Sequence, residues 1–167
     1  MIKRIVLTSM IILTQTAYAE DINKIFGLEL GSVVNKEQSN FIRDMPEENK
    51  AIYGIDFKGF KKAEVEYTPT SKKIYNITTT KKTDKYCPDE LDIVAGILSK
   101  KYGELKKEDG LMKDYYTIES GDKLLTTSCS GGLLDDSIRI NLDDDSIKEM
   151  GTKEQIEIES SKELGNL

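Results

Sequence analysis

Pro88-Asp89-Glu90-Leu91-Asp92-Ile93-Val94-Ala95-Gly96-Ile97-Leu98-Ser99-Lys100-Lys101-Tyr102-Gly103 is the stretch around which the rest of the chain is read. Leu91, Val94, Ala95, Leu98 and Tyr102 recur at helical spacing, and Ile93 and Ile97 widen the same face. Pro88 suits the first helical position. Asp89, Glu90 and Asp92 complement the positive end of the helix dipole, and Lys100 and Lys101 the negative end. Gly103 supplies the left-handed stop. The spacing predicts one amphipathic helix over 89–102.

On both sides of it the period changes from helical to two. Upstream, Tyr53, Ile55 and Phe57 alternate with small or polar residues, and Lys58-Gly59 turns the chain. Ala63, Val65 and Tyr67 alternate with Glu64 and Glu66, so one face is wet. Thr68-Pro69-Thr70-Ser71 is a turn cluster, after which 73–80 resumes strand composition. Downstream, 115–120 meets 123–129 across Gly121-Asp122. Gly131-Gly132 breaks the chain, and Ile138, Ile140 and Leu142 form a last strand. Near the start, Phe26, Leu28 and Leu30 read as a short strand. Ser32 caps a brief helix from Val33 to about Ile42. From Ser146 to Leu164 the chain is polar with sparse apolar residues, giving a surface helix frayed or broken near Gly151, with disorder beyond about residue 152 as the rival reading. No internal repeat is visible in the residues.

Hairpins gathered around one good helix define an α+β fold. The expectation is an antiparallel sheet of about five to seven strands, with the 89–102 helix and a peripheral C-terminal helix on one face.

The first nineteen residues read as a cleavable export leader. Lys3 and Arg4 precede an apolar run from Ile5 to Leu13, and Ala17-Tyr18-Ala19 provides a small-residue cleavage site. That run is shorter than the roughly 20 residues that span a bilayer. The chain thus divides into a leader at 1–19, a single α+β domain at 20–145, and an acidic C-terminal helix or partly disordered tail at 146–167. The expected localisation is periplasmic or secreted, with no membrane span left after cleavage.

The chain has 24 basic and 30 acidic residues and no histidine. The acidic balance argues against nucleic-acid binding, which needs cations on phosphate. The absence of histidine removes Ser-His-Asp and Cys-His nucleophiles, imidazole bases and His-ligated zinc. Gly131-Gly132 has neither the lysine nor the spacing of a phosphate loop. The only cysteines, Cys87 and Cys129, have neither Cys-x-x-Cys spacing nor histidine for a redox or zinc site. In an oxidising compartment they are expected to form one disulfide. It would close a loop of about 42 residues and tie the helix start to a strand.

Phe26-Gly27-Leu28-Glu29-Leu30-Gly31 after a leader, with Lys101-Tyr102-Gly103 closing a central helix, resembles a pattern in small exported Gram-negative bacterial proteins of no assigned function. The positions of the two cysteines accord with it. The resemblance implies a periplasmic setting and a two-layer α+β fold, and carries over no functional residue.

Two features could carry function. Lys58, Lys61, Lys62, Lys72, Lys73, Lys81 and Lys82 stand against only Glu64 and Glu66 within 58–82, forming a candidate basic hairpin for an acidic partner. Such lysines also guard strand edges against edge-to-edge pairing. Acids bracket the last strand as Asp135-Asp136 and Asp143-Asp144-Asp145, with Asp143 and Asp145 as weak calcium candidates. A twelve-residue calcium loop opening at Asn141 would close at Thr152 rather than at a glutamate, so no metal site is expected. Asn76-Ile77-Thr78 matches a glycosylation acceptor but lies in a strand of a bacterial-type chain and is discounted.

The expected function is that of an exported, non-catalytic binding protein without cofactors, acting on another protein in the cell envelope. The alternatives are a carboxylate- or metal-dependent periplasmic hydrolase and a structural component of an envelope assembly.

Overall fold

A computed structural model describes residues 22–83, 86–109, 114–130 and 136–164. The leader at 1–19, the Gly131-Gly132 break and Asp135 lie outside the described residues.

Two strands of two residues, β1 (Lys24–Ile25) and β2 (Leu28–Glu29), form a miniature hairpin. Then come β3 (Phe41–Met45), a 3-10 turn at Pro46–Glu48, β4 (Lys50–Phe57), β5 (Phe60–Tyr67) and β6 (Ile74–Lys82). Helix α1 (Cys87–Tyr102) follows, then β7 (Lys106–Asp109), β8 (Asp114–Ser120), β9 (Lys123–Ser130), β10 (Ser137–Asp144) and helix α2 (Asp145–Leu164). The large sheet has eight strands in the order β3-β4-β5-β6-β10-β9-β8-β7, antiparallel throughout. The α+β class is as expected. The layout is a four-strand meander and a helix, repeated once and joined at the β6–β10 seam, although the residues show no repeat. Each helix packs on the other meander: α1 on β8, β9 and β10, and α2 on β6.

The strand count exceeds the expected range because two edge strands leave no periodic signature. β7 is Lys-Lys-Glu-Asp, charged at every position, as suits an edge that must not recruit another strand. β3 begins only at the end of the 33–42 segment where a helix is expected, and no helix forms there. The Ser32 hydroxyl donates back to the Glu29 carbonyl at 2.6 Å instead of capping forward. Val33 bridges Lys73, and the Val34 amide donates to the Lys72 carbonyl at 3.1 Å. Apolar residues this sparse cannot bury a helical face, so the backbone pairs with the start of β6 instead. Of the strand expected over Phe26–Leu30 only Leu28–Glu29 forms, because Phe26-Gly27 is a tight turn.

One sheet face carries the core. Ala51 and Tyr53 of β4, Ala63 and Val65 of β5, Ile77 of β6, Ile140 and Leu142 of β10 and Leu125 of β9 are buried on it. Leu91, Val94, Leu98 and Tyr102 of α1 close that core over the second meander. Ile22, Ile25, Leu28 and Leu30 of the N-terminal hairpin are buried in the same core. The opposite face is polar, as in the cross-strand row Glu64, Thr78, Asn141, Thr126, Thr117. Cys87 at the start of α1 and Cys129 of β9 are joined, their Cα atoms 6.0 Å apart.

α2 runs through Gly151 without a break. The Asp144 carboxylate caps it, accepting the Ile147 amide at 3.0 Å and the Ser146 hydroxyl at 2.7 Å. A carboxylate of Glu154 accepts the Thr70 and Ser71 amides at 2.8 and 3.1 Å, docking the helix on the β5–β6 turn. No helix among the described residues is long and apolar enough to cross a membrane.

Candidate binding groove

The N-terminal hairpin, the end of β4 and the C-terminal half of α1 meet around an open groove of about 350 Å³. Its floor is Ile25, Leu98 and Tyr102, all buried. Its walls are Phe26, Ile55, Phe57 and Ile97, all half-buried. Asp56 and Lys101 supply the charges in the lining.

Each wall has a local cause. The Phe26-Gly27 turn has φ of 55° and 80°, both left-handed, the type I′ geometry that joins two-residue hairpins. Asn or Asp usually fills the first of these positions, and a bulky aromatic there is an outlier. That geometry brings the Phe26 ring to 5.2 Å from the Phe57 ring. The β4–β5 register shifts between Gly54 and Phe57, beyond which Ile55 and Phe57 pack on the core while Asp56 is exposed. Phe57 continues to Phe60 at 5.9 Å. Ile97 is on the α1 flank that widens the apolar face. The Tyr102 hydroxyl donates to the Lys24 carbonyl at 2.6 Å and fixes the hairpin against α1. The Lys101 ammonium sits 4.8 Å from the Tyr102 ring centroid. The two short motifs quoted from the sequence, around Phe26-Gly27 and Lys101-Tyr102, thus form parts of one recess.

The candidate basic hairpin divides between the two ends of the sheet. Lys58 is in the β4–β5 turn, and Lys61 and Lys62 begin β5, while Lys81 and Lys82 end β6 beside them. This end borders the groove through Phe57. Lys72 and Lys73 lie at the β5–β6 turn, roughly 20 Å away at about 3.3 Å per strand residue. Several of these lysines have partners. Lys61 pairs with Asp56 at 2.9 Å. Lys81 pairs with Glu90 of α1, donates to the Lys58 carbonyl at 2.8 Å and lies over the Phe60 ring. Lys72 lies over the Tyr67 ring at 5.0 Å.

The acids of the last strand are placed otherwise. Asp143 is within an amide and hydroxyl network on the polar sheet face, where Asn76 donates to it at 2.6 Å and Asn141 also donates. Burial pushes its carboxyl above the usual range. Asp145 is exposed in the first turn of α2. Among the described residues no three Asp, Glu or Cys side chains gather as a cation shell would.

A second cleft, of about 480 Å³, separates α2 from Tyr67 and Tyr75. Both phenols already donate to carboxylates, Tyr67 to Asp44 at 2.8 Å and Tyr75 to Glu66 at 3.1 Å. Burial pushes both upward, Tyr75 to about 12. The first groove differs in leaving large apolar side chains partly uncovered, and such a lining can hold an apolar side chain.

Sequence reasoning missed Phe26, Phe57 and Ile97 as a group because they come from three separate elements. The available signal was Phe-Gly as the two-residue loop between Lys24-Ile25 and Leu28-Glu29, a position that ordinarily favours Asn-Gly. Comparison with protein-family models, curated proteins and solved structures finds no match to this chain.

Proposed function

We propose that this chain is an exported, non-catalytic binding protein that engages another protein of the cell envelope through the groove between the N-terminal hairpin, β4 and α1. One observation carries the reading. Phe26, Ile55, Phe57 and Ile97 stay half-buried around one recess, and Phe26 is held there in a backbone conformation that costs on the order of 1 kcal/mol or more. Strain retained beside an apolar recess suggests use of that recess. The export leader and the Cys87–Cys129 bridge support an oxidising, extracytoplasmic setting.

The test is site-specific photo-cross-linking. The oxidised mature chain, tagged at its C-terminus, carries a photoreactive phenylalanine at Ile97 or, as a control, at Ser128 on the polar sheet face. Irradiation in an envelope extract of the host is expected to give one dominant adduct from position 97 alone. Matching adducts from both positions, or none from either, would reject the groove as the binding element.

A further inference from the structure

The turn between β5 and β6 is an anion socket filled from within the chain. The Thr70 and Ser71 amides converge on one Glu154 oxygen at 2.8 and 3.1 Å. Two successive amides aimed at one point form a concave anion site. The turn builds this socket from its own bonds. Thr68 accepts the Lys72 amide on its carbonyl at 3.1 Å and the Lys73 amide on its hydroxyl at 3.0 Å, and that hydroxyl also meets Ser71 at 2.7 Å. Lys72 and Lys73 complete the turn, half-buried and in no ion pair among the described residues. Burial pushes the Glu154 carboxyl up, but the bonds from Ser71, Thr70 and Thr68 outweigh this and keep it below the usual range, so the socket favours an anion.

The helix segment that fills the socket is weakly anchored. Among the described residues of α2 only Gly151 is buried, so nothing from Thr152 to Leu164 is. The other side-chain hydrogen bonds of this half stay within the helix. A segment held in this way opens locally at low cost. An open recess of about 390 Å³, lined by Thr70, Glu157, Ile158 and Lys162 among others, adjoins the Glu154 carboxylate and gives solvent a path to Thr70. A phosphoryl group brings three acceptor oxygens and nearly two negative charges, more than one carboxylate offers. We infer that the β5–β6 turn is an oxyanion site for a phosphoryl group, which displaces Glu154 and frees the 152–164 half of α2. The Thr70 and Ser71 amides take its oxygens, and Lys72 and Lys73 supply the countercharge. Glu154 is an internal stand-in that keeps the site closed, and the apparent affinity for the ligand falls by the closed fraction. The site is at the far end of the sheet from the groove and does not depend on it.

The test titrates inorganic phosphate into the isotopically labelled, oxidised mature chain at fixed ionic strength and follows backbone amide shifts. Phosphate is expected to move the Thr70 and Ser71 amides and to raise hydrogen exchange over 152–164. Glu154→Ala vacates the socket and should tighten binding about tenfold. Glu157→Ala removes the same charge from the same helix without vacating the socket, and should match the parent. The Lys72→Gln, Lys73→Gln variant should weaken binding about tenfold. Glu154→Gln keeps the side-chain shape and should also bind more tightly than the parent, which covers the case in which Glu154→Ala no longer melts cooperatively.

Vesicles of phosphatidylcholine, with and without phosphatidic acid, then identify the source of the phosphoryl group. Sedimentation with the phosphatidic acid vesicles alone, lost in the lysine variant, makes it a lipid headgroup. Binding of free phosphate without sedimentation makes it a small ligand, and either result supports the site. No shift of Thr70 and Ser71 in the two Glu154 variants at millimolar phosphate would overturn the proposal. Equal tightening by Glu154→Ala and Glu157→Ala would overturn it too, since net charge rather than a vacated socket would then govern binding. Binding to the parent with 152–164 still protected would refute the displacement of Glu154.

Discussion

Gly151 of α2 lies against Thr68 so closely that a β-carbon on the glycine would sit 3.1 Å from the Thr68 Cγ2 methyl. Thr68 is fully buried, and its hydroxyl is bonded to Ser71 at 2.7 Å and to the Lys73 amide at 3.0 Å, so it cannot turn aside. In an open helix interior, Gly→Ala would stabilise by about 1 kcal/mol. Here Gly151→Ala is expected to destabilise by about 1 kcal/mol, because overpacking exceeds that gain. A thermal melt reads the change. Adding Thr68→Ser, which removes the methyl and keeps the hydroxyl, should restore the midpoint.

The strained turn at Phe26-Gly27 allows stability to be separated from the proposed binding. Phe26→Asn gives the turn its preferred residue but removes the ring contact with Phe57, so the two effects are expected to cancel within about 1 kcal/mol. Adduct formation from Ile97 should be lost all the same. Lys58, with φ of 45° in the matching turn before Gly59, provides the control. Lys58→Asn should stabilise by a few tenths to about 1 kcal/mol in urea titration. A variant at Phe26 that melts far below the parent would show the ring to be part of the core rather than a binding wall.

The disulfide spans 42 residues of sequence. Replacing Cys87 and Cys129 with Ser is expected to cost about 3–4 kcal/mol, and reduction of the parent should cost about the same. Urea unfolding with and without reductant measures it. Equal midpoints would mean that α1 holds to β9 by packing alone.

Glu154 makes the docking of α2 pH-dependent. Burial pushes its carboxyl up, but the hydrogen bonds from Ser71 and Thr70 outweigh this and hold it below the ordinary value of 4.5. An acid depressed in the folded state adds stability that is complete above its unfolded value and is lost as pH falls through its folded value. The parent should therefore exceed Glu154→Gln in melting midpoint at neutral pH. The two curves should converge as pH drops below about 4.5. A constant gap down to pH 3 would contradict this account.

The helix over 89–102 and the alternating strands on either side of it were legible because their burial is periodic. Leu91, Val94, Leu98 and Tyr102 face one core, and Ile138, Ile140 and Leu142 do so at period two. The edge strands were not. Lys106 to Asp109 pairs by backbone alone, and Phe41 to Met45 follows a segment whose amides are satisfied by Lys72 and by β6. At Gly151 the residue argued for a break, whereas its role is to admit Thr68. The lysines near the groove were visible in the sequence, but their separation from Lys72 and Lys73 follows from strand length. The groove itself depends on three elements far apart in the chain, which no local pattern reveals.

The β6–β10 seam has a kinetic consequence. It pairs Asn76 with Asp143 and Lys82 with Ser137, contacts separated by roughly 60 residues, at the centre of the sheet. Because α1 packs on the second meander and α2 on the first, neither half can complete its core until the seam closes. Loop-closure entropy must be met before most contacts reward it, so folding should be slow for a chain of this size. Such a chain stays threadable for longer after synthesis, a delay that the proposed export would use.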